Sequence, residues 1–521
     1  MSRADMARTP KRDVTLTPEL QAALGKGSSR FFSDWPTSCM PADYELRGSL
    51  RRLRARARDL AAWSALMEQA MTVYAMNLIG PTGMDCRPMV RDSSGKLDDR
   101  ANGILKEGWN DFWTGPVTAD GKLTGVEYEH LLVKTWLVDG ENFTRRWQGY
   151  PNKWGIAFEP IDSDLLEEWF SRTASRNENE VRLSVEVDDF GRPVAYHVLD
   201  GSPLIPMGGP RTRERIPAED LRHIYIQKRV NQTRGVTALR PVLVLVKMDD
   251  GYTEAELFAS RLGASKGLQI RDIAGPNAGE IGEEDDEGGY ESEIEPAMIW
   301  KPPAGKMLEA INMDHPSTAF DSFTRAIIRK ISAGLGISYP TLSMDFENTS
   351  YSSARTAIGL ERDLFQVLHE IWIHRFRNWV YREWLKSALL TRALKLESYD
   401  PERYAAVQWV PRGWTGVDPL KETEGYVLAI QNGLDSRTRI LSEQGLDVRQ
   451  VMKELSEEDQ LAKELGIEIS KVLPATSPSA SSTAGDWGSG SGNGSAAGRA
   501  SKKGAHPSRI PGLLNGASAA A

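Results

Sequence analysis

Two histidines in one predicted helix, His369 and His374, are the nearest approach to a metal-binding motif in the chain. Zinc proteases hold their metal with two histidines at positions i and i+4, because these positions share one face of a helix. His369 and His374 stand at i and i+5, which puts them about 140° apart around the helix axis. The spacing argues against a zinc site, and we expect both histidines at the margin of a packed helix.

Phosphate binding by a glycine-rich loop is the second chemistry to consider. A P-loop ends in Gly-Lys followed by Ser or Thr, whose hydroxyl binds Mg²⁺. Gly334 and Gly336 lack the third glycine of a dinucleotide-binding loop and predict the end of a helix instead. No Gly-Lys pair of the chain is followed by Ser or Thr, so no nucleotide or other cofactor is expected. The pairs with their next residue are Gly25-Lys26 (Gly), Gly95-Lys96 (Leu), Gly121-Lys122 (Leu) and Gly305-Lys306 (Met).

Adjacent carboxylates at Asp249 and Asp250 could help to hold a metal ion in a nuclease. Neighbouring acidic residues within one predicted helix are more typical of a solvated face. We therefore predict that the chain is not an enzyme, and that it has neither catalytic residues nor a metal site.

Length and composition limit the class of protein. The 521 residues exceed what one hydrophobic core usually organises, which predicts several structural units. No apolar run reaches the roughly 18 residues of a membrane helix, and the basic residues 1–13 have no apolar stretch of a secretory signal behind them, so we expect the protein in the cytoplasm of the producing cell. Only two cysteines occur, Cys39 and Cys86, and both are expected to be free thiols. The net charge of −8 argues against a protein that wraps DNA by neutralising its phosphates.

The N-terminal region predicts an extended arm followed by a basic helix. Prolines interrupt residues 1–43, and from Tyr44 apolar residues recur three and four positions apart while arginines fill the other faces. The arginine-rich face is either solvated and paired with acidic neighbours, or it contacts DNA or an adjacent subunit. The apolar positions are Leu46, Leu50, Leu53, Ala57 and Leu60, and the arginines are Arg47, Arg51, Arg52, Arg54, Arg56 and Arg58.

Mixed patterns between about 120 and 236 predict an α+β region. Apolar residues alternate from Val181 to Val187 and again from Val194 to Val198, which predicts two strands joined in a β-hairpin by a turn at 188–191. A short helix is predicted at 162–170, with Asp162 and Ser163 as candidate caps.

Helical patterns dominate the next part of the chain. Helices are predicted at 237–262, with Gly251 as the weak point, and at 318–333. Between them, the segment from Glu280 to Glu295 holds nine acidic residues and no Lys or Arg. This segment is predicted to be an excursion from a helical body.

A long helix is predicted after the polar loop Ser343 to Ser350. Pro340 should block continuation of the preceding helix, and Ser352 or Ser353 can cap the new one. With no proline before Pro401, this helix could extend for roughly 60 Å at 1.5 Å per residue. A helical module at 419–469 and a disordered tail from about 474 complete the chain. The apolar stripe along the long helix is Leu360, Leu364, Leu368, Ile371, Trp372, Phe376, Trp379, Val380 and Trp384.

The order of these elements, together with several short stretches, resembles the lambda-type family of phage portal proteins. The resemblance covers about Trp35 to Gly466. Ala333 to Tyr339, followed by Ser350 to Arg355, is the most specific stretch. The others are Trp35-Pro36, Asp43 to Arg47, Leu53 to Leu60, Arg145 to Trp147, Ile161 to Asp164, Ile216 to Asp220, Arg234 to Val236 and Ala259 to Gly267.

The resemblance implies a portal fold of the α+β class. Its parts would be an arm at 1–43, an α/β wing at 44–236, a first stem helix at 237–262, a small mixed clip at 263–316, a second stem helix at 317–336, a tunnel-loop region at 337–352, a spine helix at 353–397, a return to the wing at 398–414, a helical crown at 415–470 and a disordered tail at 471–521.

Two groups of site residues follow from the resemblance. The DNA-channel tunnel loop would comprise Ser343, Met344, Asp345, Phe346, Glu347, Asn348, Thr349, Ser350 and Tyr351. The exposed clip would dock partner proteins through Glu283, Glu284, Asp285, Asp286 and Glu287.

The family's function is implied in the same way. Its members form a ring of about twelve copies at one capsid vertex, a symmetric homo-oligomer through which the genome is packaged and ejected. The implied partners are double-stranded DNA bound without sequence specificity, the terminase large subunit, a head-completion or adaptor protein, and the major capsid or scaffold protein. The implied locations are the virion and, during assembly, the host cytoplasm, with no membrane contact. An acidic chain suits this channel, because weak attraction to phosphate lets any DNA sequence pass.

Two alternatives stay open at this point. The chain could be another ring-forming head or tail protein, which the number of copies per capsid would distinguish from a portal. It could also be a DNA-packaging enzyme, such as a terminase-like motor or a nuclease, although the missing P-loop argues against a motor.

Overall fold

The computed structural model of the chain describes residues 39–176, 178–200, 212–264, 268–272, 306–310, 320–347, 350–414 and 419–466. The predicted tail and all but the end of the predicted arm lie outside these ranges. So do the predicted docking residues Glu283, Glu284, Asp285, Asp286 and Glu287. Within the described ranges helices and strands form separate groups, and the predicted α+β class is confirmed.

The described chain opens with three helices, where the sequence predicts one basic helix from Tyr44. That prediction is wrong in one respect, because the helix breaks at Gly48. Gly48 has φ +81°, and a Cβ there would lie 2.6 Å from the Trp169 ring. Such a left-handed residue ends a right-handed helix. The helices are α1 (Ala42–Leu46), α2 (Leu50–Trp63) and α3 (Ala65–Leu78).

A second group of elements follows α3 and contributes to the main core. Two helices pack on each other, and a Thr124–Glu127 capping box starts the second of them. Strand β1 pairs with a strand from late in the chain, so that Cys86 faces Trp409 across the ladder. The elements are β1 (Asp85–Pro88), α4 (Asp99–Thr114) and α5 (Gly125–Asp139).

Two antiparallel sheets occupy the region from 141 to 225. One has the strand order β3-β2-β8, and the other has the order β4-β5-β6-β7. The strands are β2 (Glu141–Gln148), β3 (Ile156–Ile161), β4 (Glu180–Arg182), β5 (Val185–Val187), β6 (Pro193–Leu199), β7 (Arg213–Pro217) and β8 (Leu221–Tyr225).

The predicted hairpin is confirmed for β5 and β6, whose turn is closed by Asp188 accepting the Phe190 and Arg192 N–H groups at 2.9 and 2.8 Å. The predicted single strand from Val181 to Val187 is wrong. It folds back on itself at Leu183 and Ser184, which have φ of 50° and 70°, so that β4 pairs with β5. The turn is buried and hydrogen-bonded to distant residues, and those contacts hold a backbone conformation that alternation alone does not predict.

The predicted short helix at 162–170 is reduced to a 3₁₀ turn, Ser163–Leu165. Asp162 is its cap, as predicted, and accepts the Asp164 N–H at 2.9 Å. The chain then leaves the turn for the β4 sheet, so the second half of the predicted helix does not form.

Two long helices form an antiparallel pair. Tyr252 of the first contacts Phe320 and Phe323 of the second, with ring centroids 5.5 and 5.1 Å apart. The first helix begins later than predicted, because residues 238–242 form turns. Gly334 lies inside the second helix, and only Gly336, with φ +71°, lies at its end. The elements are α6 (Leu243–Ala264), the hairpin strands β9 (Leu268–Asp272) and β10 (Lys306–Ala310), and α7 (Phe320–Leu335).

Pro340 does not block a helix, because it lies in the first turn of the short helix α8 (Tyr339–Ser343), where proline is tolerated. The predicted long helix is confirmed as a run of α9 (Tyr351–Trp372), a π-helical turn (Ile373–Arg377) and α10 (Asn378–Leu390). Its cap is Ser350, not Ser352 or Ser353, and it ends short of 397.

The predicted stripe on this helix is buried or half-buried from Leu368 to Trp384, whereas Leu360 is 69% exposed. Trp384 meets Trp109 of α4 at 5.3 Å, and Trp109 stacks on Trp113 at 4.9 Å. Trp409 of the late strand also meets Trp109, at 5.2 Å, so aromatic rings from three parts of the chain fill the main core.

The C-terminal region is helical, as predicted. It follows a 3₁₀ turn (Pro401–Tyr404) and strand β11 (Val407–Val410), the partner of β1. The helices are α11 (Pro419–Gln431), α12 (Arg437–Glu443) and α13 (Val448–Leu465). The chain divides after Lys453 into a large unit and a short C-terminal unit that holds the rest of α13. None of the described helices combines the length and apolar character needed to cross a membrane.

Candidate functional site

The bounds of the predicted channel loop are wrong by one residue at each end, because Ser343 is the last residue of α8 and Tyr351 is the first residue of α9. Met344 closes α8 in the left-handed region with φ +57°, and the loop ends at Ser350, whose Oγ accepts the Ser353 N–H at 3.2 Å. Met344 and Phe346 are 62% and 65% exposed, so neither anchors the loop in this subunit. Asn348 and Thr349 lie outside the described residues, as does the side chain of Tyr351.

One guanidinium gathers the acidic side chains around this loop. Arg325 of α7 donates from Nε to Asp321 Oδ1 at 2.8 Å and from Nη2 to Glu347 Oε2 at 2.7 Å. Its Nε also lies 3.8 Å from Asp345 Oδ2. Three carboxylates thus share one arginine, and both predicted acidic loop residues are paired with a helix of the same subunit.

A second anchor fixes Asp345. The Tyr339 hydroxyl donates to Asp345 Oδ2 at 2.7 Å, and Asp345 Oδ1 accepts the Glu347 N–H at 2.9 Å. The Tyr339 hydrogen bond holds the pKa of the Asp345 carboxyl below its usual range. The described part of the loop is therefore tied to α7 and α8 by side-chain contacts rather than by apolar packing.

The two histidines do not form a metal site. His369 is buried, against the expectation of a marginal position, and its Nε2 lies 2.9 Å from the Asn77 carbonyl while its ring stacks on Trp414. Burial lowers the pKa of His369, so the ring is neutral and donates. His374 is exposed beside Glu370. Across the described ranges no three or more metal-ligating side chains cluster to hold an ion.

Of the adjacent carboxylates Asp249 and Asp250, only the second lies on a solvated face as predicted. The predicted solvated face is wrong for Asp249, which is 5% exposed and has an Oδ1 with no hydrogen-bond partner. Burial, and then the charge of Asp250, raises the pKa of Asp249. Asp250, the next residue, is exposed.

A buried polar cluster centres on Glu141, the first residue of β2. Its carboxylate accepts from Arg234 Nε and Nη2 at 2.9 and 2.7 Å, from Arg54 Nη1 at 3.1 Å and from the Gly235 N–H at 2.8 Å. His223 Nε2 lies 2.9 Å from the second oxygen. These groups are nearly inaccessible to solvent, so five donors compensate one fully buried charge.

Arg234 connects the Glu141 cluster to other elements. Its Nη1 donates to the carbonyls of Leu166 and Leu183 at 3.1 and 2.8 Å, and Nη2 donates to that of Ser163 at 3.2 Å. The next residue, Gly235, lies so near Gly140 that a Cβ would come within 2.3 Å of its carbonyl oxygen. The cluster therefore fixes the segment that leads from the sheets toward α6.

The arginines of α2 have a structural role. Arg54 is 2% exposed and donates to Asp164 at 2.9 Å as well as to Glu141. Arg58 donates to Asp139 and Asp162 at 2.6 and 2.8 Å. The sequence left two alternatives for the arginine-rich face: a solvated face paired with acidic neighbours, or a contact with DNA or an adjacent subunit. For Arg54 and Arg58 the pairing with acidic neighbours is correct, although Arg54 is buried rather than solvated.

A second buried ion pair holds the π-helical turn. Arg377 Nε donates to Glu129 Oε1 at 2.6 Å, and the guanidinium lies between the Trp113 and Trp409 rings, 5.1 and 4.9 Å from their centroids. Trp372 Nε1 donates to the same carboxylate at 2.9 Å. This pair links α5, the long helix and β11.

Stretches that carry the resemblance meet in these clusters. Arg54 and Arg234 come from two of them and meet at Glu141, and Asp164, from a third, accepts from Arg54. Arg146 and Asp220 come from two more and pair at 2.9 Å. Residues far apart in sequence thus form one connected polar framework around the sheets.

Comparisons with known proteins agree with this resemblance. The family model described as phage portal protein, lambda family, matches residues 28–368. The chain belongs to this family. It is a portal protein, a virion component of the capsid vertex, and the portal proteins it is related to are structural proteins rather than enzymes.

Individual relatives give the extent of the similarity. A probable portal protein of Halomonas phage phiHAP-1 is 30% identical over 470 residues, which cover 88% of this chain and 90% of the relative. Portal protein B of Escherichia phage lambda is 23% identical over 517 residues, covering 88% and 95%. A solved chain from the neck of a native gene transfer agent particle is 12% identical, with a TM-score of 0.41 and coverage of 77% and 94%.

Sequence patterns did not single out Arg325, Glu141, Arg234, Glu129 or Arg377 as site residues. A signal existed for Arg325, because Asp321 stands four residues before it on a predicted helix. Glu129 also stood out as a lone acidic residue on an apolar helix face. The ion-pair partners of Glu141, Arg234 and Arg377 lie up to 248 positions away in the sequence, so these pairs leave no local pattern.

Proposed function

We propose that this portal protein assembles into a ring of about twelve subunits whose central channel passes double-stranded DNA during packaging and ejection. The observation that carries the proposal is an apolar stripe on α6 that this subunit leaves uncovered. Val244, Met248 and Phe258 are 66%, 64% and 70% exposed, and Gly251 and Ala255, also exposed, lie between them.

The stripe has the geometry of a helix-packing surface. Its positions follow one another by four, three, four and three residues, the spacing of a seam that packs against another helix. The opposite face of α6 is already used, because Val246 is buried and Tyr252 contacts α7. A closed ring would cover the stripe with a neighbouring copy in every subunit.

The parts of the ring follow the family order. We assign the wing to 44–236, the stem to α6 and α7, the clip to 263–316, the spine to the long helix and the crown to 415–470. The loop from Ser343 to Tyr351 faces the channel, and the acidic clip residues 283–287 dock a basic surface of the terminase large subunit or an adaptor protein. Capsid or scaffold protein holds the ring in the vertex, and assembly takes place in the host cytoplasm.

Substitution of Met248 by Glu tests the ring. A buried methionine contributes about 1.5 to 3 kcal/mol, so a charge at this position should lower the fraction of subunits in rings at least tenfold. Mass photometry and negative-stain images of the full chain measure that fraction. Met344→Glu is the matched control, because Met344 is equally exposed but lies in the channel loop, and it should form rings normally.

Two results would contradict the proposal. One is a wild-type chain that stays monomeric at micromolar concentration. The other is a Met248→Glu chain that forms rings as well as the control does.

A further inference from the structure

The described part of the channel loop is held by two anchors of different strength. Asp345 is fixed by Tyr339 and by its own contacts with the loop backbone. Glu347 depends on Arg325 for its side-chain contact, and its side chain is 68% exposed to water. The Arg325–Glu347 pair is therefore the anchor that a solute can reach.

Arg325 suits exchange of one anion for another. An exposed ion pair gains little over separate hydrated charges, so replacing its carboxylate by another anion changes the free energy little. A guanidinium binds phosphate through the same charge-assisted, paired N–H geometry that it uses for carboxylate. The Arg325 side chain is 25% exposed and thus open to such a partner.

Competition within the cluster favours release of Glu347. Asp321 lies four residues before Arg325 on α7 and stays near it whatever the loop does, and Asp345 is retained by Tyr339. Three carboxylates around one guanidinium also repel one another. Asp321 and Glu347 have no further side-chain partner among the described residues, but α7 holds Asp321 beside Arg325, so Glu347 is the one that a phosphate displaces.

We propose that the Arg325–Glu347 ion pair is a latch that holds residues 344–347 against α7, and that a phosphate group of DNA opens it by taking the place of Glu347 on Arg325. This inference rests on the proposed function, because it requires DNA to pass the loop. The latch would open whenever DNA lies in the channel, whatever its base sequence, because only the phosphate group is recognised.

One backbone amide reports directly on the latch. The Glu347 N–H donates to Asp345 Oδ1 at 2.9 Å, whereas the Asp345 N–H donates to Ser343 Oγ at 3.2 Å within the part of the loop that Tyr339 retains. Release of Glu347 breaks the first of these bonds, so hydrogen exchange of the full-chain ring, read at the peptide covering 344–347, measures the opening.

Arg325→Gln should raise exchange at this peptide severalfold without DNA. Lys330→Gln is the control, because it removes the same charge from an exposed position on the same helix. Adding a random-sequence linear duplex at low salt should raise exchange in the wild-type ring and in Lys330→Gln. Arg325→Gln, whose latch is already open, should give no further rise.

The outcomes separate the latch from the channel. Equal exchange in Arg325→Gln and Lys330→Gln overturns the latch. A ring that binds the duplex, by co-sedimentation, without a change at 344–347, or with the same rise in Arg325→Gln, overturns the phosphate exchange alone. A ring that takes up no duplex contradicts the exchange and the proposed DNA channel together.

Discussion

Glu141→Gln should lower the free energy of unfolding by about 3 to 5 kcal/mol, the cost of removing one partner from a buried ion pair. The substitution keeps the size of the side chain but leaves the charges of Arg54 and Arg234 buried beside a neutral amide. The amide also turns an N–H₂ group toward donors such as the Gly235 N–H. Urea unfolding at one fixed protein concentration measures the change.

Glu214→Gln is the control for this prediction. Glu214 also pairs with an arginine of β2, Arg145, at 2.7 Å, but its side chain is 56% exposed. An exposed pair contributes about 1 kcal/mol or less, so the control should stay near wild type. A loss for Glu141→Gln no larger than that of Glu214→Gln would mean that the buried cluster is not an energetic centre of the fold.

The Glu141 cluster also predicts a pH dependence. Burial acts to raise the pKa of Glu141, but the charge of Arg234 and the hydrogen bonds from His223 and Arg234 outweigh it and hold the pKa well below its usual range. The unfolded carboxyl has a pKa of about 4.3. The ionised group therefore stabilises the fold fully above that pH, and this stabilisation is lost as the pH falls through the lower folded value. The difference in free energy of unfolding between wild type and Glu141→Gln should therefore decrease below about pH 4.3. A difference that stays constant with pH would show that the ionised Glu141 carboxylate is not the stabilising group.

His223 also makes the fold less stable as the pH falls, but in a higher pH range than Glu141. Burial lowers its pKa in the folded chain, although the hydrogen bond to Glu141 opposes the shift. The unfolded histidine, with a pKa of about 6.5, therefore binds a proton before the folded one does. The contribution of His223 to wild-type stability should thus decrease as the pH falls below about 6.5.

The sequence predicted correctly those elements that are determined by residues close together in the chain. The stripe from Leu368 to Trp384 lies inside the long helix because its period matches that of a helix, and the turn at 188–191 forms because Asp188 bonds its own neighbours. The family stretches were also visible, since they are continuous in sequence.

Elements that depend on distant contacts were missed. Gly48 breaks a helix beside Trp169, and the turn at Leu183 is held by Arg234, 51 residues away. Pairing of acidic and basic residues was expected only in general terms, because any of the chain's carboxylates could in principle meet Arg54. The sequence does not show which carboxylate lies nearest once the sheets and helices have packed.

Arg377→Met should be the most damaging change in the long helix, lowering the free energy of unfolding by about 3 to 5 kcal/mol. Methionine fills much of the space between Trp113 and Trp409, so the main loss is electrostatic. Glu129, which is fully buried, would keep its charge with only the Trp372 N–H as a partner from the cluster. Arg382→Met on the same helix removes an exposed arginine and should change stability little.

A double-mutant cycle separates the ion pair from the packing of the π-helical turn. Glu129→Gln alone should also destabilise the protein, because it leaves Arg377 buried without its counter-charge. The double variant contains neither charge, and the Gln carbonyl can still accept from Trp372 Nε1. Its loss should therefore be smaller than the sum of the two single losses, by about 1 to 3 kcal/mol of coupling. Additive losses in urea unfolding would show that Arg377 stabilises the long helix through its contacts with Trp113 and Trp409 rather than through Glu129.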